Sequence, residues 1–81
     1  MTRVSVKLDF DNHLVRLGQV IRARRLSLKL SQEALADLAE IDRSHMGKIE
    51  RGERNVTFLN ILRIAKAMEI NASDLFIDAG L

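Results

Sequence analysis

The stretch Ser31–Gly52, SQEALADLAEIDRSHMGKIERG, decides how this chain folds. Ser31 precedes an apolar-periodic run, and its hydroxyl can accept from the N–H groups of a first helical turn. Ala34 rather than Glu stands three residues later, so the reciprocal half of a capping box is missing. Leu35, Ala36 and Leu38 form the apolar side of a helix over residues 32–38. Asp42 caps a further helix over 43–51, whose Met46 and Ile49 are three apart and share a face. The Ala39-Glu40-Ile41 link leaves room only for a sharp turn, and small Ala36 stands where two crossing helices come closest. Gly52 is a natural C-terminal cap.

Two short helices joined in this way, the second polar and basic, suit a helix-turn-helix that lays its second helix in the DNA major groove. The same residues resemble the phage repressor and Cro family of DNA-binding regulators, the xenobiotic-response-element-like group. The resemblance makes Gln32 the first residue of the positioning helix and Leu35-Ala36 the tight helix crossing. Ile41, Met46 and Ile49 become apolar anchors, and Ile49 to Gly52 the end of the recognition helix. It continues upstream through Gly18, Ile21-Arg22 and Arg25, and downstream through Asn55, Ala65 to Met68 and Ser73 to Leu75, so it covers residues 17–76. The Asp42-Arg43-Ser44 start and the small size resemble the controller proteins of restriction–modification systems. Two positions depart from the family pattern: Glu40 stands where a turn glycine is usual, and Lys29 replaces a frequent glycine after the first helix. If position 40 is left-handed, Glu bears a steric cost of roughly 1 kcal/mol that Gly avoids.

Working outward, helix one is predicted over residues 12–27, capped by Asp11 or Asn12, with Leu14, Leu17, Ile21 and Leu28 inward. Thr57 caps helix four over 58–68, with Phe58, Ile61, Leu62, Ala65 and Met68 inward. Ser73 caps a short fifth helix containing Leu75 and Phe76. Residues 3–10 alternate strictly, with Val4, Val6, Leu8 and Phe10 on one side and Arg3, Ser5, Lys7 and Asp9 on the other, which is a strand pattern. A lone strand in a helical fold needs a partner for its edge. Two arrangements supply one: antiparallel pairing with the same segment of a second subunit, or an arm lying across its own domain. The expected fold is therefore all-α, a five-helix repressor-like bundle with a central helix-turn-helix and a short N-terminal β-strand. It forms a single domain over residues 1–81, with 1–10 as arm or strand and 56–81 carrying dimerisation helices.

Composition narrows the function classes. Eighty-one residues make one small domain with one modest core. Absence of Cys rules out disulfides and cysteine zinc sites and suits a reducing cytoplasm. No apolar run approaches the ~20 residues of a membrane span, and the N-terminus does not read as a signal peptide. The net charge of +2 says little, but its distribution says more. Residues 12–30 carry Arg16, Arg22, Arg24, Arg25 and Lys29 with no acid, a local charge of +5, which suits a phosphate-binding face.

Candidate contacts follow from side-chain chemistry. Gln32 and the helix N-terminus behind it can hold a phosphate. Arg43 is the best base reader, because its fork matches guanine O6 and N7. Ser44 can bond to a base or a phosphate, and Lys48, one turn on, reaches the same groove. Gly47 between them keeps the helix surface low, for close approach to DNA or to another element. His45 either donates to a base or phosphate or packs beside helix two, and His13 is a surface residue. Arg51, Arg54 and Asn55 follow the recognition helix and are assigned to phosphate. By the family resemblance, Glu50 and Arg25 form an internal ion pair. Leu59 projects away from the inward face of helix four, and Phe76, Ile77 and Leu81 add apolar surface, which marks a homodimer interface or a surface covered by the chain's own tail.

The expected function is a sequence-specific DNA-binding transcriptional regulator, a cytoplasmic homodimer on a palindromic operator of double-stranded DNA. The alternative is an antitoxin or other protein-interaction module on the same fold. No metal, cofactor, small-molecule effector or membrane partner is implied. An enzyme is not expected: Asp9 and Asp11 pair locally but have no companion metal ligand.

Overall fold

The computed structural model describes residues 9–81. They form five helices: α1 His13–Ser27, α2 Gln32–Ala39, α3 Arg43–Glu50, α4 Phe58–Ala67 and α5 Ala72–Asp78. Residues 1–8, with most of the expected strand, lie outside the described residues. Its last two positions are not strand. Phe10 lies in a turn, and the Asn12 N–H donates to the Asp9 carbonyl at 3.1 Å.

Helix starts follow side-chain capping, with two corrections. Ser31 Oγ accepts from Ala34 N at 3.0 Å, and Thr57 Oγ1 from Asn60 N at 3.2 Å. Asp42 accepts from the N–H groups of Ser44 and His45. At α1 the cap comes from neither Asp11 nor Asn12. The Asp9 carboxylate reaches over the turn and accepts from His13 N at 2.9 Å and Leu14 N at 2.8 Å, while Asn12 sits left-handed with no side-chain cap bond. Ser73 does not cap α5 either; it lies inside the helix, and Asn71 holds the N-cap position.

Helix ends share one device. In each described helix a residue of positive φ follows the last turn: Lys29 (φ 58), Glu40 (57), Gly52 (73), Glu69 (56) and Gly80 (77). The next N–H then bonds back across the turn, as in Leu30 to Arg25, Ile41 to Ala36, Glu53 to Lys48, Ile70 to Ala65 and Leu81 to Phe76. This is the Schellman arrangement, which satisfies the terminal carbonyls and turns the chain sharply. Glu40 thus takes the left-handed conformation despite its Cβ.

The core gathers Ile21, Leu35, Met46, Ile64, Met68 and Leu75, all with no more than 1% exposure, around the crossings of α2 with α4 and α1 with α3. Four expected core residues are exposed: Leu28 at 37%, Leu38 at 59%, Phe58 at 66% and Leu62 at 39%. Leu28 lies in the turn past α1. Along α4 and its C-cap the buried stripe is Ile61, Ile64, Ala65 and Met68, the last three lying three, four and seven residues beyond the first. Packing between α2 and α5 selects that stripe, leaving Phe58 and Leu62 on its flanks.

Gly18 sets the closest helix approach. A Cβ there would lie 2.5 Å from the Glu50 carbonyl oxygen and 2.6 Å from that of Ile49. Because the clash is with backbone, Gly18→Ala is expected to cost about 3 kcal/mol, against the small gain in helix propensity. Urea unfolding checks this; wild-type stability in the variant would mean that α1 and α3 do not meet there.

Candidate nucleic-acid interface

The recognition helix candidate, α3, presents two faces. Met46 and Ile49 are buried at 0% and 2% exposure and fix the helix on the core. Arg43 and Ser44 are exposed at its start, and His45 and Lys48 are half-buried. The Asp42 carboxylate anchors that start. It accepts from Ser44 N at 3.1 Å, from His45 N at 3.3 Å and from the Ser44 hydroxyl. The hydroxyl bond, then the His45 N–H, hold the Asp42 carboxyl below the usual carboxylate range. A lowered folded-state value means that this stabilisation is present above the ordinary carboxylate range and is lost as pH falls through the lowered value.

The far end of α3 is held by a buried ion pair. Arg25 Nε donates to Glu50 Oε2 at 2.8 Å and Nη2 to Oε1 at 3.0 Å, with the two residues 8% and 5% exposed. Arg25 Nη1 also donates to the Leu30 carbonyl at 3.0 Å. The pair therefore ties α1, the turn after it and α3 together. Glu50 raises the Arg25 guanidinium above its already high value, chiefly through the hydrogen bond.

Gln32 joins this network. Its Nε2 donates to Glu50 Oε1 at 3.2 Å, so the amide expected to face phosphate is turned partly inward. Gly47 makes room for it. A Cβ at position 47 would lie 3.1 Å from Arg51 Nη1 and 3.2 Å from Gln32 Oε1. The low surface at Gly47 thus serves approach to another element, α2. Gln32, Arg43, Ser44, Gly47, Lys48 and Arg51 line one cleft of about 330 Å³, with no carboxylate among them. Arg54 and Asn55 are exposed in the segment after α3.

Two features escaped the sequence reading. Arg51 is paired with Glu53, Nε to Oε2 at 2.7 Å and Nη2 to Oε1 at 3.3 Å. That bond raises the Arg51 guanidinium and holds the Glu53 carboxyl low. The two-residue spacing across a helix-ending turn gave no pattern to find. The basic run of residues 12–30 is also not one face. Arg25 is spent on Glu50, Arg24 Nη2 donates to the Met68 carbonyl at 3.2 Å, and Arg16 lies half-buried with its Nη1 beside Gly80. Only Arg22 and Lys29 of the five are exposed.

Away from the cleft, Leu59 is 63% and Ile77 69% exposed, so the chain's own C-terminal helix does not cover Leu59. Phe76 differs from its neighbour and packs against the core. His13 lies at the surface between Asp9 at 3.7 Å and Asp11 at 3.9 Å.

The family described as helix-turn-helix matches residues 21–75. The control protein C.MunI of a Mycoplasma species is 36% identical over 73 residues, 90% of each chain. The control protein C.BamHI of Bacillus amyloliquefaciens is 41% identical over 66 residues, 80% of this chain and 82% of the relative. The crystal structure of the restriction–modification controller protein C.AhdI from Aeromonas hydrophila superposes with a TM-score of 0.76 at 48% identity. It covers 76% of this chain and 94% of that one.

The buried pair makes a measurable claim. Glu50→Ala leaves the Arg25 guanidinium without its acceptor and is expected to cost about 3–5 kcal/mol. The double variant Arg25→Met/Glu50→Leu should cost less than Glu50→Ala alone, because no uncompensated charge remains. Chemical denaturation of the variants checks both, and a double variant worse than the single would contradict the account.

Proposed function

The chain belongs to the helix-turn-helix family, among the control proteins of restriction–modification systems, and from that premise we propose that it is a sequence-specific DNA-binding transcriptional regulator. It acts in the cytoplasm by binding, not catalysis, and its operators control restriction–modification genes. The observation that carries the reading is the carboxylate-free cleft of Gln32, Arg43, Ser44, Lys48 and Arg51 along a helix fixed at both ends. Arg43 reads a base edge, Lys48, Arg51, Arg54 and Asn55 face phosphates, and Gln32 gives a phosphate the amide hydrogen that Glu50 does not take. His45 lies half-buried beside the readers and donates from its ring to the DNA. Phosphate contacts set register and base contacts set sequence.

Exposed Leu59 and Ile77 support a homodimer built on α4 and α5, with the edge of Phe76 completing the patch. A two-fold dimer places two copies of α3 in successive major grooves, with half-site centres ~34 Å apart on a palindromic operator. Regulation then follows protein concentration through the coupled dimer and DNA equilibria.

Leu59→Glu is expected to give folded monomer with weak operator binding, because a charge at a desolvated interface loses its water. An unchanged dimer by analytical ultracentrifugation removes Leu59 from the interface.

Arg43→Ala is expected to cost about 1–3 kcal/mol on the operator and to relax preference at one base pair per half-site. Stability should hardly change, since the side chain is exposed. Binding measured on selected and random DNA decides it. Equal loss on both would make Arg43 a phosphate contact.

A further inference from the structure

The cap of α3 constrains one of the residues beside Arg43. A serine hydroxyl has one hydrogen to donate and two lone pairs to accept with. The Ser44 hydroxyl lies within hydrogen-bond distance of Asp42 Oδ2, the same oxygen that receives the N–H groups of Ser44 and His45. An ionised carboxylate accepts only, so the hydrogen in that contact is the serine's. Bonds to an ionised acceptor are about twice as strong as neutral ones. Turning the hydrogen outward would therefore trade a charge-assisted bond for a neutral one. Ser44 is exposed on the helix turn that also presents Arg43, and with its hydrogen committed to Asp42 its oxygen has only lone pairs to offer a base.

We propose that Ser44 is a specificity-determining residue that acts only as a hydrogen-bond acceptor in the major groove, and so selects the exocyclic amine of adenine or cytosine. Those amines are the donors on the major-groove edge; guanine and thymine present acceptors there. Arg43, which has donors only, makes the opposite demand and takes guanine. Two consecutive residues thus present opposite hydrogen-bond polarity to neighbouring base edges, and Asp42 sets the polarity of the second without touching DNA. This rests on the reading of α3 as the recognition helix.

The test is a cycle across the protein–DNA contact. Sites are first selected from random duplex DNA by the wild-type protein and by Ser44→Ala, and the base pair whose preference disappears in the variant is the one Ser44 reads. Operators are then made that lack either the exocyclic amine or the carbonyl oxygen at that pair. Deleting the amine should weaken wild-type binding about tenfold, as for one lost hydrogen bond left unpaired, and should not weaken Ser44→Ala further. Ser44→Thr, which keeps the hydroxyl, should retain the coupling. Asp42→Asn, still a good N-cap, should reduce it, because its capping oxygen is neutral and holds the hydroxyl hydrogen less strongly than a carboxylate does. Melting temperatures show whether each variant is folded. Coupling to the carbonyl oxygen would mean that Ser44 donates, and the inference falls. A Ser44→Ala variant with no relaxed position would leave Ser44 serving the cap alone, and the inference falls again while the regulator reading stands. If the wild-type protein enriches no site at all, the regulator reading itself fails and takes the inference with it.

Discussion

Glu50 closes α3 with a carboxylate almost out of reach of water, and Arg25 from α1 meets it with two hydrogen bonds in a fork. The rest of the structure depends on this pairing. A buried charge without a partner costs several kcal/mol, so neither residue tolerates displacement of the other. The guanidinium spends a third donor on the Leu30 carbonyl, which fixes the turn into α2. Gln32 at the start of α2 spends its amide on the same carboxylate. One group of charges therefore sets the relative placement of the two helices of the motif, and Gly18 lets α1 come close enough for the pair to form.

That arrangement changes how the charge of the chain is read. Five basic residues between positions 12 and 30 suggest a broad phosphate face when counted along the sequence. In three dimensions three of them turn inward or sideways, to a carboxylate, a helix-end carbonyl and the neighbourhood of α5. The outward-facing cation density instead lies around α3, where residues 42–54 hold four basic and three acidic groups. Its acids have been assigned elsewhere. Asp42 is committed to the helix cap, Glu50 to Arg25 and Glu53 to Arg51. Net charge by segment misleads here because a helix sorts neighbouring residues onto opposite faces.

The repeated helix ending is a second organising constraint. Left-handed residues at each terminus let helices as short as seven and eight residues stop and reverse within two or three positions. Three of these residues are Lys or Glu, and the strain in each is offset by two backbone bonds and, after Lys29, Glu40 and Glu69, by an apolar residue that follows. The turn therefore tolerates Glu40 where the family usually has glycine.

The sequence by itself determined the helices, most of their caps and the heart of the core. Ser31, Asp42 and Thr57 act as N-caps because capping is local chemistry within three residues, and Met46, Ile49, Ile61 and Met68 are buried because periodicity is local as well. The exposed face of the candidate site was legible in outline for the same reason: exposed Arg43 and Ser44 follow directly from a capped helix with a known inward face. Tertiary structure decided what depends on partners distant in the chain. Asp9 caps α1 in place of Asn12 because an unforeseen turn brings its carboxylate over the helix end. Phe58 and Leu62 lost their places in the core to Ile64 because α2 and α5 chose which stripe of α4 to cover. Gln32 was drawn toward Glu50 because a half-buried amide beside an ionised acceptor takes the stronger bond. Local patterns name the elements and their faces; only packing settles which polar group each side chain finally meets.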